Sequence, residues 1–231
     1  MEHLSAEEWQ IVTLSLKVAF WATVFSLPFG IAVAYALAKK SFRGKQLLNI
    51  LVHLPLIMPP VVTGYLLLIV FGRSGAIGSL LHDAFGVTLA FRWTGAVLAG
   101  AIMAFPLMVR AIRLGFEAVD EGLIDAAKTL SVSRLQIFLK VSLPLALPGI
   151  IAGVVLAFAK ALGEFGATIT FVSNIPGQTQ TLPTAIYSFL QVPGGEAGAF
   201  RLIALSIFLA VAALVVSEVI AQRSATRMGR R

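Results

Sequence analysis

Two stretches of this chain hold residues whose types and spacing point to a task. The first is Lys160 with Glu164, the carboxylate sitting in Gly163-Glu164-Phe165-Gly166 at the end of a long apolar run. An amine and a carboxylate four residues apart on a helix share one face and can neutralise each other, so Glu164 reads as half of a structural ion pair. The other reading is a gate, with Glu164, Phe165 and Gly166 at the mouth of a pathway and the flanking glycines letting two subunits approach closely. The second stretch is Asp125-Ala126-Ala127-Lys128-Thr129-Leu130-Ser131, followed after a gap by Val141-Ser142-Leu143-Pro144. It offers a small amphipathic surface in place of a reactive group. Elsewhere reactive groups are sparse. His3, His53 and His82 are scattered, and His53 reads as a hydrogen-bonded packing residue. The absence of cysteine excludes disulfides, thiolate metal sites and cysteine nucleophiles. No apolar run carries two acidic residues at catalytic spacing. A membrane-embedded hydrolase needs a nucleophile with its base, or metal ligands, so the chain is expected to have no catalytic, metal or cofactor-binding residues. The glycine cluster Gly72–Gly78 lacks the lysine of a phosphate-binding loop, which places any ATP chemistry on another chain.

The elements that position these stretches follow from composition. The residues are 58% hydrophobic and only 13% charged, with a mean hydropathy of +0.91. A water-soluble domain could not hide that much apolar surface, whereas lipid accepts it directly. Runs long enough to cross about 30 Å of hydrocarbon lie near Ile11–Ala38, Leu47–Phe71, Thr94–Leu114, Leu143–Leu162 and Leu202–Ala221. The expected fold is therefore an all-α integral membrane domain, residues 1–231 forming one transmembrane unit of about five helices. Five crossings put the termini on opposite sides. Basic residues cluster at Lys39, Lys40, Arg43 and Lys45, then at Arg110, Arg113, Lys128, Arg134 and Lys140, and finally at Arg223, Arg227, Arg230 and Arg231. Those clusters follow the first, third and fifth runs, so all three are cytoplasmic if the N-terminus lies outside and residues 222–231 form a cytoplasmic tail. This pattern also explains the net charge of +7 without a nucleic-acid partner. Glu2, Glu7 and Glu8 stand where a signal peptide would carry basic residues, so the first run is expected to stay as a membrane helix. A sixth crossing completed by Val87–Leu98 would put the basic clusters on mismatched sides.

Two outer connectors are more than turns. Ser74–Arg92 contains Ala76–Leu81, apolar but too short to span, and is expected to be re-entrant or interfacial. Phe165–Phe200 contains Asn174-Ile175-Pro176-Gly177 and the amphipathic run Thr184–Leu190. Pro28, Pro55, Pro59, Pro60, Pro106, Pro144 and Pro148 fall inside or beside the runs, and each removes a backbone donor. They read either as packing kinks or, at Pro59-Pro60 followed by Thr63 and Gly64, as a bend lining a pathway. Lys17 is placed to snorkel at the outer end of the first run.

Between the third and fourth runs lies a polar insert, residues 115–142. Leu123, Ile124, Ala127 and Leu130 fall at i, i+1, i+4 and i+7, an apolar stripe on a short helix. Glu117, Asp120, Glu121 and Asp125 precede Lys128, Arg134 and Lys140, the order that complements a helix dipole. So short a helix is marginal alone in water and needs a membrane surface or a groove on another protein. The small Ala126-Ala127 pair suits the groove.

This insert resembles the Glu-Ala-Ala loop of ABC importer permeases, the binding-protein-dependent inner-membrane components. In that loop Glu-Ala-Ala is followed after three residues by Gly, and nine residues later by Ile-x-Leu-Pro. Here Asp125, Ser131 and Val141 replace Glu, Gly and Ile, while Ala126, Ala127, Leu143 and Pro144 match in place. The resemblance implies a type I importer permease whose loop seats a coupling helix in a groove of a separate ATPase, with Leu123, Asp125, Ala126, Ala127, Leu130, Ser131, Arg134 and Pro144 as coupling residues. It further implies a homodimer with the pathway between subunits, two cytoplasmic ATPase chains that bind ATP and Mg, and an extracytoplasmic binding protein. The site would be a multi-pass subunit of a bacterial cytoplasmic (inner) membrane.

The run from Gly163 to Gly177, with Leu27-Pro28, Ser41-Phe42-Arg43-Gly44-Lys45, Leu54-Pro55, Pro59-Pro60 and Phe71-Gly72, resembles the oxyanion branch and its molybdate members in particular. Sulfate, thiosulfate and tungstate permeases are close relatives of these. Pro59, Pro60, Thr63, Gly163, Glu164, Phe165 and Gly166 are the residues then expected along the pathway or its gate. Residue chemistry alone does not choose the anion, because molybdate, tungstate and sulfate are all tetrahedral dianions. An ATP-independent channel or secondary transporter is the rival from another class. Such proteins often show internal repeats and midplane ionisable relays; no repeat is evident, and Lys17, Lys160 and Glu218 form no obvious relay. Neither has any use for a docking helix.

Overall fold

The computed structural model describes residues 5–130 and 132–228. Glu2 and His3, Ser131 and the last residues of the basic tail, Arg230 and Arg231, lie outside the described residues. The described residues form helices α1 (Ala6–Lys39), α2 (Lys45–Ile57), α3 (Pro60–Phe71), α4 (Ala76–Phe85), α5 (Trp93–Glu117), α6 (Glu121–Thr129) and α7 (Arg134–Ile137). A π-helical turn, Phe138–Ser142, leads into α8 (Leu143–Leu145), α9 (Leu147–Leu162), α10 (Gly166–Val172), α11 (Leu182–Leu190) and α12 (Glu196–Met228). No strand occurs among the described residues.

Three helices, α1, α5 and the Glu196–Ala213 part of α12, are each long and apolar enough to cross a membrane. The expected second and fourth runs are not straight. α2 and α3 bend by 112° at Met58-Pro59, and the segment Arg134–Leu145 meets α9 at 67°; counting each bent pair as one span brings the number to five. Proline explains where the chain breaks. Pro60 and Pro148 sit in the first turns of α3 and α9, where a missing N–H costs no intrahelical bond. Pro28, Pro55 and Pro106 lie inside continuous helices. They are accommodated without ending them.

α5 is the centre of the bundle: 61% of its apolar window is buried, against 39% for α1 and 11% for α12. It packs along both α1 and α9, and the shared face is made of small residues. Ala19, Ala22, Ser26, Gly30 and Ala34 of α1 are buried, as are Gly95, Ala96, Ala99, Gly100 and Ala104 of α5. A methyl group added at Gly100 would touch Ala22 and Ala161 Cβ at 3.5 and 3.4 Å, so three helices converge there. Lower down, Gly115 and Gly149 bring the α5 and α9 backbones together; a Cβ on Gly149 would stand 2.6 Å from Gly115 Cα. Close backbone approach through small residues is how helices associate where lipid competes for apolar side chains.

At the N-terminal end of α1 the helices are tied by polar bonds. Ser5 caps α1 and Glu8 completes the capping box. Glu8 is itself buried, and its second carboxylate oxygen accepts from Arg201 Nε of α12 at 2.9 Å. Ser15 Oγ donates to Ile11 O and accepts from the Leu182 N–H at 2.7 Å, stapling α11 onto α1. At the same end Lys17 lies 3.7 Å from the Trp93 ring centroid, where a cation–π contact replaces simple snorkelling.

The connectors 74–92 and 165–200 differ from simple loops. Ala76–Leu81 is part of the longer α4, and the amphipathic run Thr184–Leu190 is most of α11. The Gly166–Val172 stretch, expected in an outer connector, is the helix α10, with Ala167, Thr168, Phe171 and Val172 buried against α3 and α5. Gly95 makes room for it: a Cβ there would meet Val172 Cγ1 at 2.7 Å.

Replacing Gly149 by Val drives a branched side chain into the Gly115 backbone. The expected result is a loss of about 1–3 kcal/mol, read as a lower thermal-unfolding midpoint of the detergent-solubilised protein. Gly163→Ala, where a Cβ meets nothing nearer than 3.7 Å, should leave the midpoint unchanged.

Candidate functional site

The insert between α5 and α9 forms the expected short helix, α6. Asp120 starts it, its side chain accepting from the Gly122 N–H at 2.8 Å, and Leu130 occupies the C-cap. Within it Lys128 donates to Asp125 at 2.8 Å and Thr129 Oγ1 to Ala126 O at 2.7 Å. No residue of α6 is buried. The expected stripe divides into two: Leu123 and Leu130 are 50% and 76% exposed, whereas Ile124 and Ala127 turn half-buried toward the rest of the chain. Asp125 and Ala126 are exposed as well. Ser131 lies outside the described residues. Arg134 is exposed in the first turn of α7, which Ser133 and Gln136 cap reciprocally.

The return leg is irregular. In the π-helical turn the Leu143 N–H donates to Phe138 O, five residues back. The residue that would continue the α pattern is Pro144, which has no N–H and stands exposed in α8. Ser142 is buried within this turn. Three rings hold the legs together: Tyr35 of α1 meets Phe116 of α5 edge-on at 5.3 Å and Phe138 at 4.8 Å. Neither Tyr35 nor the two phenylalanines stood out in the sequence, because Tyr35 lies in an apolar run where any ring reads as lipid-facing.

The second group lies where α9 breaks into α10. Glu164 is 3% exposed; it takes a hydrogen bond from Lys160 Nζ at 2.7 Å and one from the Ala167 N–H at 3.1 Å. The expected ion pair is present, and the second bond ties the Glu164 carboxylate to the first turn of α10, whose N-cap residue is Phe165. A carboxylate therefore already fills the position where a helix N-terminus would attract an anion. The structure brings several expected residues together here. Gly166 lies against Pro60, where an added Cβ would be 2.7 Å from Pro60 Cβ, and Gly64 lies against Ala167, where an added Cβ would be 2.5 Å from the Ala167 carbonyl oxygen. Phe165 packs on Tyr187 at 5.3 Å. Thr63 is 4% exposed, with its hydroxyl unpartnered among the described residues. Pro59 sits exposed at the bend, and Gly163, also exposed, ends α9. Gly64, Ala167 and Thr170 complete the α3–α10 contact. No local pattern around Gly64 announces this contact, because its partners lie on a helix far along the chain.

His53 Nδ1–H donates to Asn49 O at 2.8 Å, one turn earlier, in keeping with a packing role. Among the described residues no three His, Asp or Glu side chains gather in a way that could hold a metal ion.

A family model described as the binding-protein-dependent transport system inner membrane component matches residues 26–227. The chain is 59% identical to the molybdenum transport system permease protein ModB of Escherichia coli K12, over 98% of this chain and 99% of that one. It is 51% identical to the Haemophilus influenzae protein of the same name, over 96% and 97%. In fold it resembles a chain of a bacterial ABC transporter involved in the import of the acidic polysaccharide alginate, with a TM-score of 0.71 at 19% identity, covering 97% of this chain and 80% of that one. The chain belongs to the family of binding-protein-dependent transport system inner membrane components.

Proposed function

We propose that this chain is the membrane-spanning permease of an ATP-driven oxyanion importer, with molybdate as its substrate. The observation that carries the reading is an uncovered helix, α6, at the position and spacing of the family's coupling loop. Its exposed Leu123, Asp125, Ala126 and Leu130 form a surface for a groove on a separate ATPase, with Arg134 and Pro144 beside it. Near-full-length identity to relatives named for molybdenum transport supports the anion assignment over sulfate or tungstate.

In this reading the N-terminus faces outward and the arginine-rich tail faces the cytoplasm, which puts α6 on the side of the ATPase. Two copies form the pathway between them, two ATPase chains bind ATP and Mg below, and a binding protein delivers the anion above. The α3–α10 contact is the candidate gate. Pro59 and Pro60 turn the chain, Gly64 and Gly166 let two short helices touch, and the unpartnered Thr63 hydroxyl offers a donor to a passing oxyanion. Glu164 keeps α10 in place through Lys160 and the Ala167 N–H, so its role is to hold the gate. A permease without a tight arginine cage suits transport, since strong chelation would slow release.

ATP hydrolysis by the complex in proteoliposomes tests the substrate. Binding protein loaded with molybdate should stimulate it several-fold more than protein loaded with sulfate; stimulation by sulfate alone would move the assignment to another oxyanion. The docking surface is tested by Leu123→Asp, which changes an exposed side chain and should leave the fold intact. The expected outcome is loss of the ATPase from the purified complex. Ala127 is the poorer choice because it is half-buried.

A further inference from the structure

We infer that Lys39 is a positioning residue for coupling, the bond through which α1 and the docking helix move as one body. The inference rests on the reading of α6 as the ATPase docking helix.

Lys39 belongs to a basic cluster that membrane topology explains by itself, yet its surroundings are not those of a solvated cation. Its side chain is only 10% exposed. Its Nζ donates to Val119 O at 2.9 Å and lies 3.6 Å from Glu121 Oε1. Val119 is buried and immediately precedes Asp120, the cap of α6, while Glu121 is the first residue of that helix. The amine therefore grips the chain at the root of the docking helix. The carboxylate contact is the weaker part, because Glu121 is 82% exposed and such pairs contribute little. The shielded bond from a charged donor to a buried carbonyl is the stronger.

One turn earlier on α1, on the same face, Tyr35 packs against Phe116 and Phe138. Phe116 lies on the leg entering the insert and Phe138 on the leg leaving it. Tyr35 and Lys39 together thus hold both legs, although α6 itself buries no residue. A force applied to so lightly packed a helix would be absorbed by bending its connections unless something stiff joined them to the bundle. α1 supplies that stiffness: it is continuous from Ala6 to Lys39 and packs along α5 and α9. Its other end carries the Glu8–Arg201 bond to α12.

The test uses the full complex of permease, ATPase and binding protein in proteoliposomes. It compares the wild type with Lys39→Met, Lys39→Arg and Leu123→Asp. The readouts are ATPase retained per permease, ATP hydrolysed, and molybdate taken up per ATP. Lys39→Met should keep its ATPase and its basal hydrolysis but lose about tenfold in uptake per ATP, the scale of one charge-assisted hydrogen bond. Lys39→Arg, which can still donate, should restore most of it. Wild-type uptake per ATP in Lys39→Met would overturn the inference. So would an arginine variant as uncoupled as the methionine one. If Lys39→Met fails to accumulate in the membrane, Tyr35→Leu loosens the same grip and is judged by the same ratio. Leu123→Asp separates the two claims: if it retains the ATPase, the docking reading fails, whereas release of the ATPase there beside full coupling in Lys39→Met removes only the role of Lys39.

Discussion

In hydrocarbon an apolar side chain gains little by leaving lipid for protein, so this bundle depends on how closely its backbones can approach. Gly100 between Ala22 and Ala161, and Gly115 against Gly149, set that distance for α1, α5 and α9. Everything else is hung on this three-helix body. The bent pair α2–α3 and the short α10 touch each other at Pro60, Gly64 and Gly166 and reach the body through α5. Large apolar side chains such as Phe20, Phe29, Leu47, Ile57 and Phe208 point away from it and remain exposed, as lipid or a second membrane chain requires.

A second constraint is that broken helices in a membrane must find partners for their freed backbone groups. At the α9–α10 break Glu164 does this: it accepts the Ala167 N–H and is itself balanced by Lys160. At the break before α9 the π-helical turn takes up the residue that Pro144 displaces from regular geometry. Both irregularities lie in segments that the proposed mechanism needs to move. The regular helices between them, α5 and most of α9, connect one to the other. A short path therefore runs from α6, through the Tyr35, Phe116 and Phe138 rings, into the helices that carry the candidate gate.

Much of this was legible in the sequence, for local reasons. Apolar runs gave the membrane helices, proline and glycine gave the places where they break, and spacing alone paired Lys160 with Glu164. The short helix of the insert could be read because its capping residues, charges and small apolar residues lie within a few positions of one another. What escaped depends on partners far apart in the chain. Nothing around Gly166 shows that α10 turns inward, because the space it fills is left by Gly64 and Gly95 on other helices. Lys39 looked like a topology signal, and its bond to Val119, eighty residues on, has no sequence pattern. The stripe on α6 was right in composition yet divided in space, since Ile124 and Ala127 are drawn toward the body while Leu123 and Leu130 stay free.

The central claim is that the exposed face of α6 is covered by an ATPase on the cytoplasmic side. The chain has no cysteine, so a single Ala126→Cys gives one thiol on that face. Its rate of reaction with a membrane-impermeant maleimide, measured from each side of the membrane and with or without the ATPase, tests the claim most directly. The account predicts labelling from the cytoplasmic side only, and strong protection once the ATPase is bound. Labelling from the outer side, or an equal rate in the assembled complex, would contradict it.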